Sequence, residues 1–465
     1  MNPVIVIPTY WSSPDYIQPE ELFGTYDHMT PIDEEGELGR CLKSLREVRG
    51  VCRIIIPVIS EGLPEGQAAQ KVQSICAQYP SLDIIVVGPA ELNLIYKRLD
   101  QIGMSEYKEA VTNVGYGSVR NFGLLLAAIL GHTEVVFIDD DEIITDPDFL
   151  IKALYGLGKL TKRGIPILAK TGYFLDRRGS WKAPEKDPWY NFGLKQSAAF
   201  NEWIEQAMEG PRLAPSNSAY GGCLAINYEA FKRVAFDPWI TRGEDLDYMI
   251  NLRMYGLDMW FDNQWSLRHL PPETTSESVR FRQDVYRWVY EHRKLEYLRS
   301  QIDLLQIRPR DLEPYPGPLV NSSITKKLAM TGVLRSVARP ETGGYFRAAM
   351  QARRDAERYA QDHCAQYFRF QTVWPTLVEA LTNDTGLANA ISRGRERMHS
   401  GYTDQFSVIS PAEVWEKETG EAGDIARRWA KGDVSGRTAS RRAKRPTSRS
   451  SSSRGARSRG GEPRE

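Results

Sequence analysis

Short apolar blocks recur along the first third of the chain, and segments with helical spacing separate them. Four blocks predict β-strands: VIVIP (4–8), RIIIPVI (53–59), LDIIVVG (82–88) and EVVFID (134–139). Apolar residues at helical spacing predict helices between them, over 38–48, 66–79 and 118–131. Strands that alternate with helices indicate right-handed βαβ units and a mostly parallel, doubly wound α/β sheet. The apolar runs are continuous, which is typical of strands covered on both faces.

The pattern changes at about residue 276. A long helical pattern covers 278–307, a proline-rich break follows at 308–319, and further helices are expected around 344–370 and 374–393. We therefore predict an α/β domain over 1–275, a helical region over 276–430 and a tail over 431–465. The tail is rich in Arg and Ser and almost free of large apolar residues, so we predict that it is disordered.

Composition adds a charge asymmetry to this picture. The 465 residues include 60 Lys or Arg and 60 Asp or Glu, but the tail alone holds 11 basic and 3 acidic residues. The tail is either a solvated appendage or a contact for an anionic membrane or an acidic partner, and nucleic acid is the less favoured partner. The five cysteines lack metal-ligand spacing, no apolar stretch reaches the roughly 18 residues of a membrane span, and the start lacks a basic leader. We expect a reduced, cytoplasmic protein, and peripheral association with the inner face of the membrane is a second possible location.

An acidic cluster directly follows the fourth predicted strand. Asp139, Asp140, Asp141 and Glu142 repel one another, so a positive group is expected among them. If the chain stays extended, Asp139 and Asp141 point the same way. Mg²⁺ or Mn²⁺ suits such oxygen ligands and binds one or two carboxylates together with phosphates. An acidic loop or a helix cap is the alternative.

Other polar segments follow strand ends or begin helices. Pro8 to Tyr10 and Ser60–Glu61 should share one rim with the aspartates, because ligands of such sheets bind beyond the carboxyl ends of the strands. In NVGYGSVRNFG (113–123), a glycine turn and Arg120 at a helix start suit a diphosphate.

Three later segments carry candidate chemistry, and each also has a structural interpretation. Gly221 and Gly222 allow either close approach of a ligand or a tight turn. Glu244 and Asp245 begin an amphipathic helix, where carboxylates serve as caps or as a general base. His269 is either structural or a ligand of a metal held by the aspartates.

Taken in order, these segments resemble the GT-A fold glycosyltransferases, especially the family 2-like enzymes. The resemblance covers about residues 1–275 and rests on VIVIPTY, NVGYGSVRNFG, FIDDDEI as a DXD motif, GGCLAINYEAF, RGEDLD and the late His269. It implies a Rossmann-like nucleotide-sugar domain.

The resemblance also implies a role for each matching residue. Pro8, Thr9, Tyr10 and Glu61 would line the nucleotide base pocket, and Arg120 would support the phosphates or the DXD loop. Asp139, Asp140 and Asp141 would form the donor site, where Asp139 and Asp141 bind Mn²⁺ or Mg²⁺ and His269 completes the metal shell. Gly222 would lie under the transferred sugar, Asp245 would deprotonate the acceptor and Glu244 would orient it. Two departures are a long insertion at 11–37 and the replacement of the usual acidic residue after the second strand by Glu61.

The sequence thus predicts a metal-dependent glycosyltransferase that moves a hexose from a UDP- or GDP-sugar to a hydroxyl acceptor, which is a glycan, a lipid or a small molecule. Inversion by direct displacement is favoured. The alternatives are a retaining GT-A enzyme that makes a small glycoside such as a sugar-glycerate, a nucleotidyltransferase, and a non-enzymatic scaffold that binds nucleic acid or membrane through the basic tail. A nucleotidyltransferase would usually carry a glycine-rich basic loop after the first strand, which PTYWSSPD lacks. The 278–307 helix is the candidate interface of a homo-oligomer.

Overall fold

The computed structural model describes residues 1–16, 26, 29–184, 187–272, 276–382 and 384–399. The predicted basic tail (431–465) and most of segment 17–28 in the 11–37 insertion lie outside these residues. Among the helices described, none is both long enough and apolar enough to cross a lipid bilayer.

The described residues form one eleven-stranded sheet. Its strands are β1 Pro3–Val6, β2 Thr9–Ser12, β3 Thr30–Pro31, β4 Arg53–Glu61, β5 Ile84–Val87, β6 Glu134–Phe137, β7 Glu142–Ile143, β8 Ala169–Leu175, β9 Leu213–Pro215, β10 Leu224–Asn227 and β11 Met259–His269. The order is β3-β2-β4-β1-β6-β10-β8-β11-β7, with β5 paired to β4 and β9 paired to β11. All pairings that involve only the strands before β7 are parallel, and antiparallel pairing begins at β10. The predicted mostly parallel α/β sheet is confirmed.

Thirteen helices accompany these strands in the described part of the chain. They are α1 Leu38–Leu45, α2 Gln67–Cys76, α3 Pro89–Gln101, α4 Tyr116–Ile129, α5 Phe149–Leu154, α6 Gln196–Glu209, α7 Tyr228–Phe231, α8 Glu244–Met254, α9 Glu277–Leu298, α10 Ile324–Ala338, α11 Thr342–Gln351, α12 Asp355–Thr382 and α13 Thr385–His399. Short 3₁₀ helices cover Ser105–Val111, Trp189–Asn191, Pro309–Leu312 and Gly317–Leu319.

The sheet is covered on both faces, as its continuous apolar strands predict. Val4 and Val6 of β1 belong to a core on one face, with residues of α3, α4, α8, α9 and α12. Ile5 and Ile7 belong to a second core on the other face, with residues of α1, α2 and α5. Alternate side chains of one strand thus fill two different cores, because successive residues of a strand point to opposite faces.

The first strand extends further than its proline suggests. Pro8 was predicted to end it, but Thr9 to Ser12 pair in parallel with Val58 to Glu61 as β2, in the same register that β1 keeps with Arg53 to Ile55. Pro8 interrupts the strand and does not end it. The predicted start of the 11–37 insertion is therefore part of the sheet.

The helical region departs from its predicted boundaries. The 278–307 pattern is helical only to Leu298, and α10 was not predicted. The predicted break near residue 374 is wrong, since α12 continues through Pro375. A proline removes one helical hydrogen bond, but the neighbouring Trp374 is fully buried and its Nε1–H donates to the carbonyl of Phe231 at 2.6 Å. Tertiary packing holds the helix at this position.

Candidate functional site

The end of the first strand meets the acidic cluster, as the strand order predicts. The Thr9 hydroxyl donates to Oδ2 of Asp140 at 2.6 Å and accepts a hydrogen bond from Nε1 of Trp11 at 3.0 Å. Burial, together with the charge of Asp141, raises the pKa of Asp140 to about 8. Thr9 thus contacts a carboxyl group that retains a proton near neutral pH.

Arg120 joins two acidic segments that are far apart in sequence. It lies in the first turns of α4, and only 5 % of its side chain is exposed. Its Nη2 lies 2.7 Å from Oδ1 of Asp139, and its Nε lies 3.2 Å from Oε1 of Glu244. Burial raises the pKa of Glu244 to about 7, although Arg120 opposes the shift. The buried guanidinium therefore ties the acidic turn to the start of α8.

The acidic turn itself is not extended. Asp139 to Glu142 fold into a turn in which the Glu142 N–H donates to the Asp139 carbonyl at 3.2 Å. The Asp139 N–H donates in return to Oε2 of Glu142 at 2.8 Å. Asp139 is paired with Arg120, and Oδ2 of Asp141 lies 3.3 Å from Nε2 of His269. The premise that an extended chain aims Asp139 and Asp141 the same way is therefore wrong.

His269 reaches Asp141 because of strand pairing. It ends β11, where it pairs with Glu142 of β7, and the following Leu270 N–H donates to the Asp141 carbonyl at 3.1 Å. Among the residues described, no three His, Cys, Asp or Glu side chains are grouped so that they could hold a metal ion. The pair Asp141–His269 is the part of the predicted metal set that the fold brings together.

Gly221 and Gly222 lie against the charged side chains of this rim. A Cβ on Gly222 would lie 2.2 Å from Oε1 of Glu142, and a Cβ on Gly221 would lie 2.7 Å from Nη2 of Arg120. The Gly221 N–H also donates to Oδ2 of Asp245 at 3.0 Å. The two glycines therefore serve close packing around the site, which any side chain would disrupt.

Several buried polar atoms of the rim have no hydrogen-bond partner among the described residues: Ser118 Oγ, Arg120 Nη1, Asp141 Oδ1 and Glu142 Oε1. Buried polar atoms are normally paired, so each of these atoms requires an explanation. An unpaired guanidinium nitrogen suits an anion, and an unpaired carboxylate oxygen suits a cation. The unpaired nitrogen of Arg120 lies on α4, and the unpaired oxygens of Asp141 and Glu142 lie on the acidic turn that Arg120 contacts. The rim therefore offers positions for an anion and a cation close to each other.

Three tyrosines enclose the side of the rim next to β2. The ring of Tyr10 lies 4.4 Å from that of Tyr26, which lies 5.1 Å from that of Tyr116. The Tyr26 hydroxyl accepts a hydrogen bond from the Gly115 N–H at 2.7 Å. Partial burial raises the pKa of Glu61, whose charge is felt by Tyr26. Tyr26 and Tyr116 were not predicted, because the three tyrosines are far apart in the sequence and meet only in the tertiary structure.

One cavity adjoins the rim at His269, and a second cavity lies next to the first. The larger, about 450 Å³, is lined by His269 and by aromatic residues that include Phe174, Trp181 and Tyr220. The smaller, about 230 Å³, includes Tyr315 and Arg335 in its wall. Phe200 and Ala183 line both cavities.

Trp181 lines the larger cavity, whereas Trp189, Tyr190 and Trp203 line neither of the two. Trp203 is buried in the core, and Trp189 is 63 % exposed. Tyr190 lies beside Trp189 in a 3₁₀ helix, with the two rings 5.8 Å apart.

A buried ion network anchors α8 beneath the site. Nζ of Lys294 on α9 lies 2.7 Å from Oδ2 of Asp237 and 2.6 Å from Oδ1 of Asp247, and all three side chains are fully buried. The Tyr290 hydroxyl donates to the same Asp237 oxygen at 2.8 Å. Asp247 belongs to the RGEDLD segment, and no pattern in the sequence indicates that Lys294 is its partner. The network fixes the helix on which Glu244 and Asp245 lie.

Comparisons with known proteins give only distant structural similarity. No family model and no curated protein matches the sequence. A mannosyltransferase from Pyrobaculum calidifontis, solved with GDP-Man and Mn²⁺, is 13 % identical over 82 % of this chain and 84 % of its own, with a TM-score of 0.35. GalNAc-T7, solved with UDP, GalNAc and Mn²⁺, is 11 % identical over 64 % of this chain and 54 % of its own, with a TM-score of 0.35. A mycobacterial protein is 14 % identical over 61 % of this chain and 72 % of its own, with a TM-score of 0.34. At TM-scores below 0.5, neither the donor nor the site residues of these proteins transfer to this chain.

Proposed function

We propose that this protein is a metal-dependent glycosyltransferase that moves a hexose from a UDP- or GDP-sugar to a hydroxyl acceptor, with inversion. The observation that carries the proposal is the convergence on one rim of Arg120, Asp139, Asp141, His269 and Asp245. Four chain segments supply these residues, and buried polar atoms beside them lack partners among the described residues.

The donor half of the site is assigned to the rim around Arg120. The start of α4 supplies backbone N–H groups and the guanidinium, which together suit the diphosphate. Tyr10, which packs 4.4 Å from the buried ring of Tyr26, is the proposed aromatic contact for the nucleotide base. Glu61, near Tyr26, is the proposed base-side carboxylate.

Asp141 and His269 are the proposed protein ligands of Mg²⁺ or Mn²⁺, and Asp139 pairs with Arg120 on the same turn. The unpartnered, buried Oδ1 of Asp141 and the neighbouring imidazole fit a divalent cation that takes its remaining ligands from substrate phosphates and water. When bound, such a cation supplies Lewis-acid stabilisation of the leaving diphosphate. Asp140, hydrogen-bonded to Thr9, holds the acidic turn against the first strand.

Asp245 is the proposed general base. Backbone N–H groups of Gly221 and Leu246 hold its two oxygens at 3.0 and 2.7 Å, so its side chain is fixed at the start of α8. Its charge, together with burial, raises the pKa of Tyr220 and Tyr315, which line the two cavities. Gly221, whose N–H binds Asp245, directly follows Tyr220 in the wall of the larger cavity, and we assign the acceptor hydroxyl to this side of Asp245. Glu244 is occupied by Arg120, so we assign it to positioning.

The test is release of nucleoside diphosphate from a panel of UDP- and GDP-sugars, with Mn²⁺ or with EDTA. We expect slow, metal-dependent hydrolysis of one donor, which Asp141→Ala abolishes. Asp148→Ala is the matched control. Asp148 lies shortly after Asp141 in the chain, and its carboxylate pairs with Arg49 at the surface. Equal turnover by wild type and Asp141→Ala, or no nucleotide binding by calorimetry, would refute the proposal.

The base is tested separately once an acceptor is found. Asp245→Asn should lower transfer about 10²- to 10⁴-fold, as expected for loss of a general base, while nucleotide binding stays at the wild-type level. Proton NMR of the product gives the anomeric configuration. A product with retained configuration would remove the need for a base and contradict the role of Asp245.

A further inference from the structure

Large apolar side chains lie exposed on the adjacent helices α10 and α11. On α10, Met330, Val333 and Val337 are 39 %, 45 % and 80 % exposed. On α11, Phe346 and Met350 are 53 % and 63 % exposed. Residues three or four apart share one side of a helix, so each helix carries an apolar stripe in contact with water.

The apolar surface continues onto the neighbouring segment of the α/β region. Trp189 and Phe192 are 63 % and 64 % exposed. This segment packs on α10, since a Cβ on Gly193 would lie 2.6 Å from Cε of Met330. Single exposed apolar residues are ordinary, but a contiguous set marks an interaction surface.

Helices α10 and α11 and the residues that join them form a helical hairpin, and this α10–α11 hairpin is strongly basic. Residues 324–354 contain seven Lys or Arg residues and a single acidic residue, Glu341. Four of the basic side chains are exposed: Lys326, Arg347, Arg353 and Arg354. The described part of the chain thus has a surface that combines apolar side chains with an excess of positive charge.

We propose that the α10–α11 hairpin docks this protein on an anionic lipid bilayer. Helices that lie in the membrane interface have this composition, with apolar side chains in the headgroup boundary and Lys or Arg beside anionic lipids. An acidic protein partner would also match this surface, but it would give no binding to vesicles. A second copy of the hairpin would set like charges against each other.

The position of the hairpin gives docking a consequence for the site. Arg335 of α10 lines the 230 Å³ cavity, which shares Phe200 and Ala183 with the cavity that reaches His269. A docked bilayer would therefore adjoin the cavity side of the molecule. Docking does not depend on the proposed glycosyltransferase activity, and it is tested without substrate.

The test is flotation of the full-length chain with phosphatidylcholine vesicles that contain or lack phosphatidylglycerol. We expect binding to the anionic vesicles, and the double variant Val337→Asp/Met350→Asp should weaken it roughly tenfold or more, because two apolar anchors are replaced by anions. Both side chains are mostly exposed, so the variant should unfold at the wild-type temperature.

Ile302→Asp is the matched control. Ile302 is 91 % exposed but follows the C-terminal end of α9. The hairpin instead contacts the N-terminal end, where a Cβ on Gly344 would lie 2.2 Å from Oγ of Ser278. This variant should float as wild type does. Arg353→Gln/Arg354→Gln should weaken binding to anionic vesicles and make the remainder less sensitive to salt.

The outcomes separate the hairpin from other binding sites. The basic segment 431–465 is present in every variant, so wild-type flotation of the double variant would assign binding to that segment and overturn the proposal. Absence of wild-type binding to anionic vesicles would also overturn it. A dimer that the double variant abolishes, without any vesicle binding, would assign the surface to a second copy.

Discussion

Arg120→Met tests whether one buried guanidinium serves both the fold and the donor site. The variant removes the partner of Glu244, whose side chain is 8 % exposed, and of Asp139, whose side chain is 34 % exposed. Removal of one partner of a buried ion pair costs about 3–5 kcal/mol. The lower value is expected here, because solvent screens Asp139.

Protonation of Glu244 also limits the cost. The pKa of Glu244 is about 7, because burial raises it and Arg120 offsets part of the rise. Without Arg120, this pKa rises further and the carboxyl group is neutral at pH 7. The free energy of unfolding of Arg120→Met should therefore fall by about 3 kcal/mol in urea titrations at pH 7.

Nucleoside diphosphate binding by calorimetry gives the second measurement. Lys170→Met is the matched control, since Lys170 forms a fully buried pair with Asp262 at 2.9 Å, at the start of β8 and away from the cavity-lining end of that strand. Both variants should lose stability, but only Arg120→Met should lose nucleotide affinity. Wild-type affinity in Arg120→Met would show that Arg120 is purely structural, and unchanged stability would refute the ion-pair reasoning.

Three further changes probe the rim and its support. Gly222→Ala should disable donor hydrolysis, because its Cβ would collide with Glu142 at 2.2 Å; wild-type hydrolysis would contradict this packing. In metal-free protein, the raised pKa of Asp140 means that the folded state holds an extra proton between about pH 4 and 8, so stability falls as pH rises. Asp140→Asn should flatten that fall by up to about 1.4 kcal/mol per pH unit in urea titrations across this range. Lys294→Met should lower the unfolding free energy by about 3–5 kcal/mol, because Asp237 and Asp247 both lose the buried ammonium group that they share; an unchanged urea midpoint would contradict it.

The predicted secondary structure succeeded where local pattern and tertiary packing agree. The four early strands lie where continuous apolar runs placed them, since both faces of each are buried. The pattern failed at Pro8 and at Pro375. At both positions, strand pairing or helix packing outweighs the local preference of proline.

The candidate site was likewise predicted only in part. Order along the sequence placed Thr9 and Asp140 at one rim, because strand ends of a parallel sheet share an edge. The direction of each carboxylate was beyond such reasoning. The turn at Asp139 sends two nearby aspartates to different partners, Arg120 and His269.

The sequence by itself determined the α/β class, the positions of the early strands along the chain and the segments that reach the carboxyl rim, because these follow from periodicity and chain direction. Tertiary structure decided which charges meet. Arg120 and Glu244 are 124 residues apart, and Lys294 and Asp247 are 47 apart, yet both pairs are in contact and buried. Such contacts depend on how helices pack across the sheet, and no local spacing encodes that arrangement.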